Sequence, residues 1–154
     1  KIAFGWTPLH YYASLGRLTA GVELLLEFEV DVNAQTFECK KTPLHSACMF
    51  WPFTTAVAVV KLLLEKGSDP NLNGKNGITP LIVAARCGEL EVFKLQLGKG
   101  ADLAIPNASG GTALHAASHG GDPLMVELLA TEQRSRHGSQ GPVRMDTFRY
   151  SQSN

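Results

Sequence analysis

The stretch "TPLHSA", from Thr42 to Ala47, decides the fold, because its opening motif returns three times along the 154-residue chain. The related segments are "TPLHYY" at Thr7, "TPLIVA" at Thr79 and "TALHAA" at Thr112. The four threonines stand 35, 37 and 33 residues apart, so the chain contains an internal repeat with a nearly constant period. The sequence therefore predicts four copies of one structural unit.

Each copy predicts a helix–turn–helix unit. The threonine caps the free N–H groups of a first helix, and proline suits its first position. A second apolar stretch, such as "VVKLLLEKG" over residues 59–67, predicts a second helix that ends at a left-handed Gly67. Polar segments such as "NLNGKNG", residues 71–77, predict tight hairpin tips between units. Since one unit cannot bury its own apolar face, the units are expected to stack.

The pattern T-P-L-H-x-A at a period near 33 resembles the ankyrin-repeat family over about residues 5–130. The resemblance implies an all-α solenoid of helix–turn–helix units joined by β-hairpin loops. The expected organisation is an ankyrin-repeat domain over residues 1–130, with repeats at about 5–40, 41–76, 77–110 and 111–130, and a polar, disordered tail over residues 131–154.

Composition argues against several classes of protein. The chain has 14 basic and 14 acidic residues, whereas a nucleic-acid or membrane-surface binder usually has a basic excess. It has no apolar run long enough to cross a bilayer and no signal-peptide pattern. Its 3 cysteines fit neither a zinc site nor a disulfide framework. We therefore expect a cytoplasmic or nuclear monomer with reduced thiols that binds neither nucleic acid nor membrane.

The segment "HAASH" is the strongest candidate for chemistry. It places His115 and His119 one helical turn apart, a spacing that can bind zinc. However, no accompanying glutamate or third ligand is evident, and His115 occupies the same motif position as His10 and His45. No nucleophile–base set stands out elsewhere. We therefore expect no catalytic site, metal or cofactor, and favour a structural role for the motif histidines.

The resemblance also implies where a partner would bind. Ankyrin proteins typically contact partners through hairpin tips and first helices, which line a concave face, and interfaces favour aromatic, methionine and arginine side chains. For Trp6 and Tyr11, covering an open end of the stack is an equally good explanation. The candidate partner-binding residues are Trp6, Tyr11, Phe37, Met49, Phe50, Trp51, Phe53, Lys75, Ile78, Arg86 and His119.

The candidates Phe50, Trp51 and Phe53 belong to an insertion between the two helices of repeat 2, at "MFWPFTTA". Pro52 blocks helix continuation there and predicts a loop. Phe50, Trp51 and Phe53 are too much apolar surface to leave in water without a reason. Two interpretations stay open: the loop packs against the neighbouring repeats, or it forms a finger that inserts into a partner.

Repeat 1 departs from the others in three ways. It has Glu29 where a helix-ending glycine is expected and Tyr12 where the other copies have alanine. A tyrosine there favours an end position in the stack. From Gly5 to Glu38 it has five acidic residues and one base, Arg17, which either suits a basic, apolar peptide or is only a solvated helix face. These acidic residues are Glu23, Glu27, Glu29, Asp31 and Glu38.

Two asparagines follow the second helices, Asn33 in repeat 1 and Asn71 in repeat 2. The resemblance implies that they order the hairpins and are candidate sites of asparaginyl hydroxylation. Taken together, the residues and the resemblance favour a protein–protein interaction module, a scaffold or an adaptor. The alternative is a regulatory ankyrin segment of a larger enzyme or ion channel.

Overall fold

A computed structural model describes residues 3–16, 19–49 and 56–138, with the side chain of Ala3 left out. The predicted aromatic loop, residues 50–55, and residues 139–154 of the predicted tail lie outside this part of the chain. The described residues form four helix pairs. The helices are α1 (Pro8–Leu15), α2 (Thr19–Glu27), α3 (Pro43–Cys48), α4 (Ala56–Glu65), α5 (Pro80–Cys87), α6 (Leu90–Gly98), α7 (Ala113–Gly120) and α8 (Pro123–Arg136).

The first helix of each repeat begins where the threonine motif predicts. In α3, the Thr42 hydroxyl accepts a hydrogen bond from the His45 backbone N–H at 3.3 Å, and proline occupies the first turn. In α5, Thr79 caps Ile82 in the same way at 3.3 Å. These bonds satisfy N–H groups that a helix start otherwise leaves without a partner.

The helices stack in two layers, and this confirms the predicted all-α solenoid. Helices α1, α3, α5 and α7 pack in that order as a first-helix layer. Helices α2, α4 and α6 form a second-helix layer, and α8 packs on α7. The core lies between the layers and is filled by fully buried side chains of both. Examples are Leu9, Leu44, Val22, Val60 and Phe93.

The connections between repeats end in closed tips. Gly74 N–H donates to the Ile78 carbonyl at 2.8 Å, and Asn107 N–H donates to the Gly111 carbonyl at 2.8 Å. The first tip closes similarly, between Thr36 and Lys41, at 3.0 Å. Residues 3–49 and 56–138, as far as they are described, contain no β-strand, so these hairpin loops are turns without a ladder.

Neighbouring tips are joined by backbone hydrogen bonds. Lys75 N–H donates to the Cys39 carbonyl at 2.8 Å, and Ala108 N–H donates to the Asn76 carbonyl at 2.8 Å. These bonds fix the spacing of the tips along the solenoid. They also leave the tip side chains free to point away from the stack.

The unusual residues of repeat 1 have local explanations. Glu29 has a left-handed φ of 51°, as Gly67 has with 93° in repeat 2, so the turn is kept without the glycine. Tyr12 lies over Gly21 of α2, where an added Cβ would come within 2.6 Å of the ring. The tyrosine therefore fits because its own second helix provides a glycine.

The fourth repeat corrects one expectation. The predicted disordered tail from residue 131 is wrong over its first residues, because α8 continues to Arg136. The Thr131 hydroxyl donates a hydrogen bond to the Glu127 carbonyl at 2.9 Å, and the Ser135 hydroxyl donates to the Thr131 carbonyl at 2.9 Å. Glutamate, glutamine and arginine in this stretch have good helix propensity, which extends the helix beyond its apolar face.

Candidate protein-binding surface

The first-helix layer presents a row of exposed side chains. Met49, Arg86 and His119 each stand seven residues after their capping threonine, and their helices are neighbours in the layer. All three side chains are exposed. Tyr11 precedes this register by one turn on α1 and is 50% exposed. Together they form a strip along one side of the stack.

An aromatic patch lies at the start of the same side. It consists of Phe4, Trp6 and Phe37, and we keep that name for these three residues. Phe37 is 70% exposed and Phe4 is 62% exposed, while Trp6 is half-buried with its ring 5.9 Å from the His10 ring. The Phe37 N–H donates to the Phe4 carbonyl at 3.1 Å. This hydrogen bond joins the two segments that carry the exposed rings of Phe4 and Phe37.

A cavity of about 260 Å³ opens beside the aromatic patch. Phe4 and Trp6 line it together with Thr36, Glu38 and Lys41. Its size suits one large apolar side chain of a partner, and the two opposite charges at its rim offer polar contacts. The remaining predicted residues follow beyond it on the second tip, where Lys75 is exposed and Ile78 is half-buried.

Sequence reasoning missed Phe4. It has a left-handed φ of 76°, as Asn76 does with 59° on the second tip. The segment "FGWT" from Phe4 matches "NGIT" from Asn76 residue by residue. This match could have identified Phe4 from the sequence, because it places Phe4 on a tip, where a side chain is exposed.

The charged residues of repeat 1 do not all lie near the aromatic patch. Glu38 lines the cavity, but Glu23 and Glu27 belong to α2 in the second-helix layer. The exposed charged residues on the first two tips and the first helices are mostly basic, including Lys75 and Arg86. The predicted acidic surface beside the aromatic rings is therefore reduced to a single carboxylate.

The motif histidines connect repeats. His45 Nδ1 accepts from the Thr42 N–H at 3.1 Å, so its Nε2–H donates to the Ile78 carbonyl at 2.9 Å. His10 makes the same bridge to the Lys41 carbonyl at 2.8 Å. Burial lowers the pKa of His45 from 6.5 to about 4, and burial also lowers the pKa of His10. Both rings are therefore neutral at pH 7, and both serve as structural hydrogen-bonding groups.

The histidine pair of repeat 4 is divided between two environments. His115 Nδ1 accepts from the Thr112 N–H at 3.2 Å, as in the other motif copies, whereas His119 is exposed. Across the described ranges, no three His, Cys, Asp or Glu side chains are placed to hold a metal ion. The chain therefore gives no geometric support for a zinc centre at "HAASH".

The two tip asparagines also connect repeats. Asn33 donates through Nδ2 to the Gly67 carbonyl at 3.2 Å and accepts through Oδ1 from the Asp69 N–H at 2.9 Å. Asn71 makes the equivalent pair of bonds to repeat 3. The candidate hydroxylation sites are thus bonded to the following repeat, and a modifying enzyme would have to reach half-buried side chains.

The three cysteines are free thiols. Burial raises the pKa of Cys48, which is fully enclosed and accepts a hydrogen bond from Gln96 Nε2 at 3.2 Å. Burial also raises the pKa of the half-buried Cys87. Neither thiol has the lowered pKa that activates a cysteine nucleophile.

No helix of the described residues is long and apolar enough to cross a membrane.

Stacked helix pairs with bonded tips and an exposed aromatic patch define a helical-repeat binding module. The family model of ankyrin repeats, which spans three copies, matches residues 1–73 and 54–140. The chain therefore belongs to the ankyrin-repeat family. Ankyrin repeats mediate protein–protein interaction, and their fold is typically non-catalytic.

Several curated proteins share this region. The human transient receptor potential cation channel subfamily A member 1 is 39% identical over 128 residues, which are 81% of this chain and 11% of that protein. Human ankyrin repeat domain-containing protein 53 is 38% identical over 87 residues, 56% of this chain and 16% of its own length. The human 2-5A-dependent ribonuclease is 43% identical over 71 residues, 46% of this chain and 9% of that protein. The chain thus spans a small part of each relative.

Proposed function

We propose that the chain is a scaffold or adaptor module that recognises a partner protein through its tips and first helices. The single observation that carries this proposal is the aromatic patch, whose Phe4 and Phe37 are more than half exposed beside a cavity of about 260 Å³. Large rigid rings bury much apolar area on binding at little entropic cost. The patch therefore supplies the anchor of the interface.

The other predicted residues extend the interface along the stack. Tyr11 and Met49 add apolar contacts, with Ile78 half-buried between tip and core. Lys75, Arg86 and His119 form a polar continuation that selects the partner's charge. We propose that a partner segment binds with its apolar end at the patch and its polar end toward repeat 4.

The inserted loop remains a second candidate part of this surface. Replacing Trp6 by Phe leaves Trp51 as the single tryptophan, so its emission reports on the loop alone. A red-shifted emission that acrylamide quenches easily supports a finger presented to a partner. A blue-shifted, protected emission assigns Phe50, Trp51 and Phe53 to internal packing.

The alternative function is a regulatory ankyrin segment of a larger enzyme or ion channel. It is favoured by the names of two relatives, a cation channel subfamily member and a ribonuclease, of which this chain matches 11% and 9%. In that case the same surface would contact another part of the same polypeptide. Catalysis would belong to that other part.

Further properties follow from the same proposal. We infer that the module acts as a monomer in the cytoplasm or nucleus, without a cofactor and without binding nucleic acid or membrane. The balance of 14 basic and 14 acidic residues supports the part of this inference that concerns nucleic acid and membranes. Asn33 and Asn71 remain candidate hydroxylation sites, and intact-mass measurement of each single Asn→Ala variant from cells would detect the loss of a 16-dalton modification, about one oxygen.

Site-specific photo-crosslinking tests where the partner binds. A crosslinking amino acid replaces Phe37 on a tip or, as the control, Phe28 beyond α2, in the protein expressed in its own cells. Both positions are strongly exposed, so crosslinking chemistry is equally accessible. A discrete crosslinked protein at position 37 that is absent at position 28 supports the proposal. The same band at position 28 alone would assign binding to the second-helix layer.

A further inference from the structure

The end of the stack formed by repeat 1 exposes residues that the inner repeats bury. Pro8 is exposed, whereas Pro43 and Pro80, at the same motif position, are buried. Val32 is half-buried, whereas Leu103, at the same position of repeat 3, is buried. In the inner repeats, the first helix of the preceding repeat packs against the helix that carries Pro43 or Pro80. We call this incompletely buried set, Pro8 with Leu25, Val30 and Val32, the end face.

The end face contains a cavity. Its volume is about 290 Å³, and its lining includes Pro8, Leu25, Val30 and Ala34. Leu25 is half-buried there, although Leu63 at the same position of repeat 2 is fully buried. An apolar opening of this kind remains where a packed interface lacks its second half.

The polar groups at the rim of the end face repeat an interface already present twice. Asn33 bonds the Gly67 carbonyl and the Asp69 N–H of the next repeat, at 3.2 and 2.9 Å. The same two groups in repeat 1 are the Glu29 carbonyl and the Asp31 N–H. Glu29 has the left-handed φ of 51° that shapes this site, as Gly67 has with 93°. Among the described residues, neither group of repeat 1 has a hydrogen-bond partner.

Asn71 repeats the interface between repeats 2 and 3. It bonds the Gly100 carbonyl at 3.0 Å and the Asp102 N–H at 2.8 Å. In all three repeats the aspartate also accepts from the N–H two residues later, for example Asn33 N–H to Asp31 Oδ1 at 2.9 Å. The turn that receives an asparagine is therefore fully formed in repeat 1.

A second acceptor lies at Trp6. Its carbonyl precedes the capping threonine, as do the Lys41 and Ile78 carbonyls that accept from His10 and His45. Gly5 has a φ of 75°, close to the 71° of Gly77 on the second tip. Residues 3–6 thus have the backbone of a tip's second half, which is the part that a preceding repeat's histidine contacts.

We propose that the end face binds a further ankyrin-type repeat, which presents an asparagine to Glu29 and Asp31 and a histidine to the Trp6 carbonyl. The apolar cavity would be filled by that repeat's second helix, since neighbouring second helices pack against each other at the inner junctions α2–α4 and α4–α6. We infer this occupant because the polar groups of the end face have hydrogen-bonded counterparts at the inner junctions.

A second copy of this chain is a poorer occupant. The repeat it would present from its far end is repeat 4, which carries His115 but lacks the segment that holds Asn33 and Asn71 in repeats 1 and 2. Repeat 3 has Ala104 at the asparagine position. The asparagine half of the interface would therefore be missing.

Extending the full chain tests the proposal. A copy of residues 42–74 is joined directly to Ala3, so that the added His45 and Asn71 enter the register of a preceding repeat. We expect amide hydrogen exchange at Asp31 to slow by about tenfold or more, because its N–H gains a buried partner. The matched control carries Asn71→Ala in the added copy and should lose this protection while circular dichroism shows the same helix content.

Three results would overturn the proposal. Exchange at Asp31 that is unchanged by the extension would show that the added repeat does not dock. Equal protection in both extended chains would exclude the asparagine bond. Self-association of the unextended chain, measured by sedimentation and abolished by Leu25→Glu, would assign the end face to a second copy instead.

Discussion

The junctions on the two sides of repeat 3 are built differently. Toward repeat 2, the His45 ring and the Asn71 amide bridge to backbone groups, at 2.9 Å for histidine to the Ile78 carbonyl and 3.0 Å for asparagine to the Gly100 carbonyl. On the side of repeat 4, Ile82 and Ala104 occupy these two positions and cannot make either bond. The same fold therefore tolerates loss of both polar bridges at one junction.

Close packing of backbones replaces the bridges at the junction with repeat 4. A Cβ added to Gly120 of α7 would overlap the Arg86 carbonyl oxygen of α5. The tips remain joined through Ala108 and Asn76 at 2.8 Å. Polar bridges therefore fix the first two junctions, whereas a glycine contact between first helices fixes the last one.

The largest effect is expected from His45→Ala. The change removes a buried ring and leaves the Thr42 N–H and the Ile78 carbonyl each without one hydrogen bond, so we expect a loss of about 3 kcal/mol in unfolding free energy. Urea unfolding followed by circular dichroism measures it. His119→Ala, at an exposed position, is the control and should change stability by less than about 0.5 kcal/mol. Equal losses in both variants would refute the bridging role.

The second effect concerns pH. The His45 pKa is about 4 when folded and 6.5 when unfolded, so the unfolded chain binds more protons between these values. The contribution of the neutral ring to the unfolding free energy is fully present above pH 6.5 and is lost as the pH falls toward 4. For a single site the loss is about 2 kcal/mol between pH 7 and pH 5. The lowered pKa of His10 acts in the same direction.

The variant His45→Ala also serves as the control for pH. Its unfolding free energy should depend less on pH between 7 and 5 than that of the natural sequence, by about 2 kcal/mol. Urea titrations of both proteins at the two pH values give the difference. If the two proteins have the same pH dependence, the buried ring is not the titrating group.

A smaller effect is expected at the last junction. Gly120→Ala forces α7 away from the Arg86 carbonyl, and overpacking of this kind costs about 1.5 kcal/mol. Gly98→Ala is matched to it, because Gly98 also ends a helix but has no atom within 4 Å of an added Cβ. We expect Gly98→Ala to be neutral or slightly stabilising in thermal unfolding. A neutral Gly120→Ala would contradict the packing account of the junction.

The smallest effect is expected from Asn71→Ala. Its side chain is half-buried and its two backbone partners can recover bonds to water, so the loss should be about 1 kcal/mol. The exposed Asn73 on the same connection is the matched control, and Asn73→Ala should be nearly neutral. If the denaturant midpoint falls equally for both variants, the hydrogen bonds of the Asn71 amide do not contribute specifically to stability.

Much of the fold could be predicted from the sequence because its causes are local. The capping by Thr42 and Thr79, and the inward leucines, follow from one short motif and its period. Contacts between distant residues could not be predicted in this way. The Tyr12 ring over Gly21 and the approach of Gly120 to α5 depend on how whole helices dock, which periodicity does not specify.

The candidate surface was predictable to a similar extent. Trp6, Tyr11 and Phe37 could be proposed from the sequence because tips and first helices are identifiable from the repeat. Phe4 was missed, because its exposure depends on a left-handed backbone at φ 76° rather than on residue type. The sequence also placed the end of the fourth repeat at residue 130, since the last turns of α8 lack the apolar periodicity that indicates a helix.

Affinity capture with matched double variants tests the central claim, that partners bind the tips and first helices. Tyr11→Ala with Phe37→Ala removes side chains that are 50% and 70% exposed, and Leu24→Ala with Phe28→Ala removes ones that are 55% and 72% exposed in the second-helix layer. We predict that a protein captured by the natural sequence is lost with the first pair and kept with the second. Retention by the first pair and loss with the second would contradict the account.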